Sequence, residues 1–97
     1  MKAKTTKFDA AEYLTNEKEM SAYLDAAMED GEPAVVMQAL GAIAKARGMS
    51  RVARESGLRR ESLYKALSPA GNPEFSTVLK VMHALGIRLH AEITHAI

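Results

Sequence analysis

The sequence predicts a mainly α-helical domain, a bundle of about five helices built around a helix-turn-helix, with one short C-terminal β-strand. Three observations predict it. Apolar residues recur at helical spacing in successive segments, and the period changes to two only after Gly86. Glycines stand where the apolar stripes stop, at Gly31, Gly48, Gly57 and Gly86. The composition is 47% apolar but only 5% aromatic, with no Trp, so Ala, Leu, Met and Val do the packing, which suits helices. At 97 residues the chain makes one domain with a modest core.

Met1 to Phe8 reads as mobile or weakly extended, and Asp9 as the cap of a short turn of helix through Leu14. A second helix start follows at Thr15 or Asn16. Met20, Tyr23, Leu24, Ala27 and Met28 then form an amphipathic stripe that Gly31 ends. Two readings of this stripe stand side by side. It lies on the core, or Tyr13, Leu14, Met20, Tyr23 and Leu24 form a partner surface, for which Met is well suited because it repacks easily. Glu32-Pro33 opens the next helix, with Pro at a first-turn position where its missing N–H is no loss. Val36, Leu40, Ile43 and Ala44 are its inner face, Gln38 points outward, and Gly48 stops it.

Residues 49–67, MSRVARESGLRRESLYKAL, read as two short helices joined by a tight turn. Ser50 is placed to cap the first. Val52 and Ala53 face inward, and Gly57 ends the helix in a left-handed conformation at little steric cost. Leu58 is a buried anchor, and Leu63, Ala66 and Leu67 carry the inner stripe of the second helix. Such spacing lets two helices cross steeply and leaves the outer face of the second open. That face carries Arg59, Arg60, Glu61, Ser62 and Lys65. In helix-turn-helix proteins the first residues of this helix meet base edges in the major groove. Arg forks onto guanine, Ser serves either strand, and Glu accepts from cytosine. The plain alternative is a solvated polar face.

Charge distribution separates the two ends. Residues 1–31 hold four Lys against seven Asp and Glu, whereas residues 49–67 hold five Lys and Arg against two Glu. A basic patch on one element is the expected footprint of a DNA-binding surface, and the acidic third points to another partner. Residues 1–31 are therefore read as an acidic, amphipathic, partner-binding segment, and 32–97 as the DNA-binding part of a single compact domain.

After Leu67 comes the loop Ser68-Pro69-Ala70-Gly71-Asn72-Pro73. Asn72 is read as the cap of the last helix, with Pro73 in its first position, and the same Asn72 is placed either to hold a phosphate or simply to close the loop. Phe75, Val78, Leu79, Met82 and Leu85 are the expected buried face, with Gly86 the stop. Ile87, Leu89, Ala91 and Ile93 then alternate with Arg88, His90, Glu92 and Thr94, the pattern of a half-buried strand over 87–93. A lone strand leaves its backbone unpaired, so its partner is the extended N-terminus or the same strand of a second copy. The second copy is preferred, because a two-fold pair places two recognition helices at half-sites about 34 Å apart.

Cysteine is absent, so disulfides, thiolate metal sites and thiol nucleophiles are excluded. His83, His90 and His95 lack neighbours at metal-ligand spacing, and no glycine-rich phosphate loop occurs, so neither a metal, a cofactor nor an enzyme is expected. No apolar run approaches the roughly 20 residues of a membrane span, and the start lacks a signal-peptide core. A soluble cytoplasmic protein is the expectation.

The two-helix unit followed by LSPAGNPEFSTVLKVMHALGIRL strongly resembles the HigA-like addiction-module antidote proteins, small members of the Xre group of helix-turn-helix regulators. The opening KFDAAEYLTNEKEMSAYLDAAMEDG looks like the usual start of that family, so the resemblance covers nearly the full chain. It implies a lambda-repressor-like bundle and an antitoxin that silences a small RelE/ParE-like toxin encoded beside it. It also implies repression of their shared operon by a homodimer on double-stranded operator DNA. Carried over by position, Arg60, Glu61, Ser62 and Lys65 read bases, while Ser50, Arg51 and Asn72 hold phosphates. Arg59 departs from the Ser or Thr cap expected there, a cap worth about 1 kcal/mol. Either the helix frays when free or Arg59 adds a phosphate contact. The other readings are a stand-alone transcriptional regulator without a toxin, and an interaction module that no longer binds DNA.

Overall fold

The computed structural model of the protein describes residues 10–95. A 3-10 turn, Ala10–Tyr13, leads into five helices: α1 (Glu17–Asp30), α2 (Pro33–Arg47), α3 (Met49–Ser56), α4 (Arg60–Ala66) and α5 (Phe75–Ala84). The expected cap at Asp9 and the extended start lie outside the described residues.

The start of α1 is written locally. Asn16 Oδ1 accepts the Glu19 N–H at 2.8 Å, and the Glu19 carboxylate reaches back to accept the Thr15 N–H at 2.9 Å and hydroxyl at 2.8 Å. This is the reciprocal logic of a capping box, displaced one residue outward. The Thr15 backbone bond, then the Thr15 hydroxyl, hold the Glu19 carboxyl below its ordinary 4.5, outweighing a little desolvation. Gly31, at φ +78°, closes the helix by donating to the Ala27 carbonyl at 3.3 Å.

The central element is α2. Its Ala39, Leu40, Ile43 and Ala44 are essentially inaccessible, and it packs on α1, on the 3-10 turn and on α3. One core takes side chains from Leu14 through Leu85, with Leu40, Ile43, Val52, Leu63 and Val81 the largest that are fully buried. Arg47, at the end of α2, reaches Glu17 at the start of α1 with Nη2 at 3.3 Å from the carboxylate.

Three expectations about helix ends and faces are corrected. Ser50 is not a cap: α2 and α3 share Gly48, whose carbonyl accepts the first α3 bond from Val52 at 3.0 Å, so Ser50 lies inside the first turn. With no linker between two helices, one glycine (φ +103°) must serve both. Asn72 and Pro73 do not start α5 either; the position before the helix is Glu74, whose side chain makes no capping bond. The inner face of α5 is Val78, Val81, Met82 and Leu85, so Phe75 (65% exposed) and Leu79 (43%) point outward and Val81 replaces them.

At the end of α5, Gly86 donates to His83 at 3.0 Å and Ile87 to Met82 at 2.8 Å, a Schellman closure around a left-handed glycine (φ +75°). The expected strand over 87–93 is absent: among the described residues there is no sheet. Ile87 and Leu89 lean on the core, whereas Ala91 is exposed and Ile93 is 88% exposed. The alternation is real, but a ladder needs a second strand. Among the described residues no helix is long and apolar enough to cross a membrane.

Candidate functional site

The segment from α3 through α4 is positioned by a few apolar contacts. Val52 and Ala53 bury one side of α3. Gly57 turns the chain at φ +78°, and the Ala53 carbonyl gathers the Gly57 N–H, the Leu58 N–H at 3.1 Å and the Ser56 hydroxyl at 3.1 Å. Leu58 is half-buried against the core rather than fully enclosed. Leu63 (0% exposed) and Leu67 (9%) then fix the inner side of α4. The same two residues donate along the helix, Leu63 to the Arg59 carbonyl at 2.9 Å and Leu67 to the Leu63 carbonyl at 3.1 Å. Burial of the two leucines thus holds in place a seven-residue helix that would not persist alone.

Holding α4 by that side leaves Arg59, Arg60, Glu61, Ser62, Tyr64 and Lys65 exposed. All four side chains expected to read bases are among them. Arg59 stands at the cap position with extended backbone and no capping bond, as its side chain dictates. The Arg60 guanidinium lies 5.5 Å from the centroid of the Tyr64 ring, and its Nη2 donates to the Tyr64 hydroxyl at 3.3 Å. Sequence reasoning missed Tyr64; its signal was the i, i+4 spacing from Arg60 on a face free of other aromatics.

The residues expected to hold phosphates are exposed but not gathered by contact. Ser50 is on the first turn of α3. Arg51 Nε is 3.3 Å from Glu55, one turn along the same helix. Asn72 lies in the loop after α4, whose preceding Gly71 is pressed against the Lys65 and Ala66 carbonyls, so the loop is folded onto the end of α4. Ser68 reinforces that fold with its hydroxyl donating to the Lys65 carbonyl at 2.8 Å.

The N-terminal stripe divides. Leu14, Met20 and Leu24 are in the core together with Ala27, Tyr23 is half-buried, and Tyr13 and Met28 are exposed. Of the five residues expected to face a partner, Tyr13 and Tyr23 are thus at the surface. Among the described residues no three His, Cys, Asp or Glu side chains are grouped as a metal site would need.

A model of the family described as "probable addiction module antidote protein" matches residues 4–93. An uncharacterized protein of Haemophilus influenzae is 48% identical over 85 residues, covering 88% of each chain. No solved structure matches.

Proposed function

The chain belongs to the family of probable addiction module antidote proteins, and from that premise we propose that it is a HigA-like antitoxin that also represses its own operon through an Xre-type helix-turn-helix, α3–Gly57–α4. Membership in an antidote family implies a cognate toxin; the proposed one is a small RelE/ParE-like protein encoded beside it. The observation that carries the DNA-binding half is the orientation of α4. Leu63 and Leu67 hold its inner side in the core, and the outward side presents Arg60, Glu61, Ser62 and Lys65 within residues 49–67, which carry five Lys and Arg against two Glu. In the proposed complex these four side chains enter the major groove, and Ser50, Arg51, Arg59 and Asn72 contact the phosphates on either side.

Two intramolecular contacts have to yield, and magnitudes decide that they do. An exposed Arg–Tyr stack is worth about 0.5–1 kcal/mol, whereas a bidentate Arg on guanine is worth about 1–3 kcal/mol of discrimination. The exposed Arg51–Glu55 pair is worth roughly 0.3–0.5 kcal/mol, less than the roughly 1.5–3 kcal/mol of a hydrogen bond to a charged group. Tyr64, released from Arg60, stands on the same face. A homodimer supplies the second half-site. The tail at 87–93, alternating in pattern and unpaired in the single chain, is the proposed seam, each copy providing the strand the other lacks.

The test is a gel-shift titration of the upstream region of its own operon with wild type and with the double variant Arg60→Ala, Lys65→Ala. Both positions are exposed, so the helical circular dichroism and toxin binding should persist while the specific shift disappears. An undiminished shift at moderate salt sinks the DNA-binding half of the reading. Arg51→Ala should instead weaken all sequences alike and flatten the salt dependence by about one unit of slope for the phosphate it no longer neutralises.

A further inference from the structure

The acidic end of the molecule holds an open apolar groove of about 500 Å³, formed where the end of α1, the start of α2, the loop over 69–73 and the start of α5 meet. Met28, Pro33, Val36, Met37, Phe75 and Val78 line it. Two of these, Phe75 (65% exposed) and Met28 (41%), are large apolar side chains left in solvent, and Leu79 extends the face one turn along α5. A concave apolar face with large exposed side chains at its rim is a shape that an apolar anchor fits.

The chain around the groove is acidic. Glu29, Asp30, Glu32 and Glu74 directly adjoin its lining residues and are exposed, and none of them forms an ion pair among the described residues. Glu29 and Asp30 also sit in the last turn of α1, which carries no basic residue, at the negative end of that helix. Four carboxylates and the carbonyl end of α1 thus make this stretch negative, which favours a basic partner. The basic α4 face cannot be that partner, since in the proposed complex that face is occupied by DNA.

We propose that this groove, rather than the N-terminal stripe whose Leu14, Met20 and Leu24 are buried, is where the chain grips its toxin, taking a segment that carries an apolar anchor flanked by Lys or Arg. The inference rests on the antitoxin reading above. Phe75 and Met28 close over the anchor, with Met28 and Met37 adapting to its shape. The surrounding carboxylates steer the basic flanks and set the register. The groove and the base-reading face of α4 share no side chain, and Asn72, which lines the groove and is the proposed phosphate contact, is the one residue where the two surfaces meet.

The experiment is calorimetric titration of the full-length protein with the purified product of the adjacent toxin gene, at two salt concentrations. Phe75→Ser should lower affinity about 30-fold, as loss of a central anchor does. Glu29→Lys with Glu32→Lys should lower it about tenfold and weaken its salt dependence, as reversal of rim charges does. All three positions are exposed, so unchanged melting curves and unchanged operator binding are expected; Lys18→Glu, exposed on the first turn of α1 and outside the groove lining, serves as the control and should bind as wild type does. Wild-type binding that none of the groove variants alters overturns the groove while leaving the antitoxin reading in place. Phe75→Ser that dissociates a dimer in sedimentation yet binds the product normally assigns the groove to a second copy and equally overturns the proposal. No binding by wild type overturns both readings.

Discussion

Gly71 is the residue where a single methyl group should disturb most. Its φ is not among the positive values, so an alanine meets no backbone penalty there, only neighbours. A Cβ at this position would collide with the Lys65 carbonyl oxygen and lie 2.7 Å from the oxygen and 3.0 Å from the carbon of the Ala66 carbonyl. These are backbone atoms of the last turn of α4, pinned by Leu63 and Leu67, and they cannot rotate aside as a side-chain tip would. Overpacking of this kind typically costs about 1–3 kcal/mol, offset by about 0.4–1 kcal/mol from the stiffer unfolded chain. Gly71→Ala should therefore lose roughly 1–2 kcal/mol and melt roughly 5–15 °C lower. Gly41→Ala is the matched opposite. Its Cβ would rest 3.5 Å from the Leu67 carbonyl oxygen and 3.8 Å from the Leu67 Cβ, ordinary contact distances, inside a helix. Alanine there should gain roughly 0.5–1 kcal/mol. Thermal and urea unfolding followed by far-UV circular dichroism reads both. A Gly71→Ala protein as stable as wild type would refute the packing of the 68–73 loop on α4, and so the support that loop gives the proposed DNA-facing helix.

Other outcomes follow from single contacts. Asn16→Ala removes the α1 cap and should cost about 1 kcal/mol, read as a melting shift of roughly 4–8 °C. Glu19 has its folded pKa depressed, so its contribution is present above the unfolded value near 4.5 and lost as pH falls through the folded value. Glu19→Gln should accordingly be less stable than wild type at pH 7, and the two unfolding curves should converge as pH falls through the folded value; a gap that stays constant over that fall would show that the Thr15 bonds do not set its titration. Leu63→Ala, at a fully buried position, should lose about 2–5 kcal/mol and with it operator binding, whereas a helical signal unchanged in stability would contradict its place in the core. Ile93→Asp, on the exposed tail, should leave the melting of the single chain alone but shift sedimentation from dimer to monomer; a dimer that survives it places the seam elsewhere.

Helix ends were legible wherever one residue settles them by its own chemistry. Gly31, Gly48, Gly57 and Gly86 read as stops, and they are the four glycines with positive φ among the described residues. Pro33 opens α2 and Asn16 caps α1 because a missing N–H and a short amide act within one turn. The polar side of α4 was legible too, since Leu63 and Leu67 leave few ways to orient seven residues.

Choices among several locally equal arrangements were not legible. Phe75, Val78, Leu79, Val81 and Met82 make α5 apolar around much of its circumference, so helical spacing admits more than one inner face. Packing against α3 selected the one centred on Val81. Ser50 looked like a cap because nothing local reveals that α2 runs into α3 with Gly48 alone between them. The tail after Gly86 alternates as a strand does, yet hydrogen-bonded pairing is a property of two segments, and among the described residues the single chain brings none alongside it.

By itself, then, the sequence determined where most helices begin and end, that they share one core, and that a basic surface and an acidic one lie on different stretches, because each of these follows from residues within a turn of one another. Tertiary structure alone decided which apolar side chains that core takes. It enclosed Leu14, Met20 and Val81, left Phe75, Leu79 and Ile93 in solvent, and set Gly71 against the end of α4. The reason is that burial is a competition for a limited interior among every apolar group in the chain, and its outcome is fixed only when all the helices are in place.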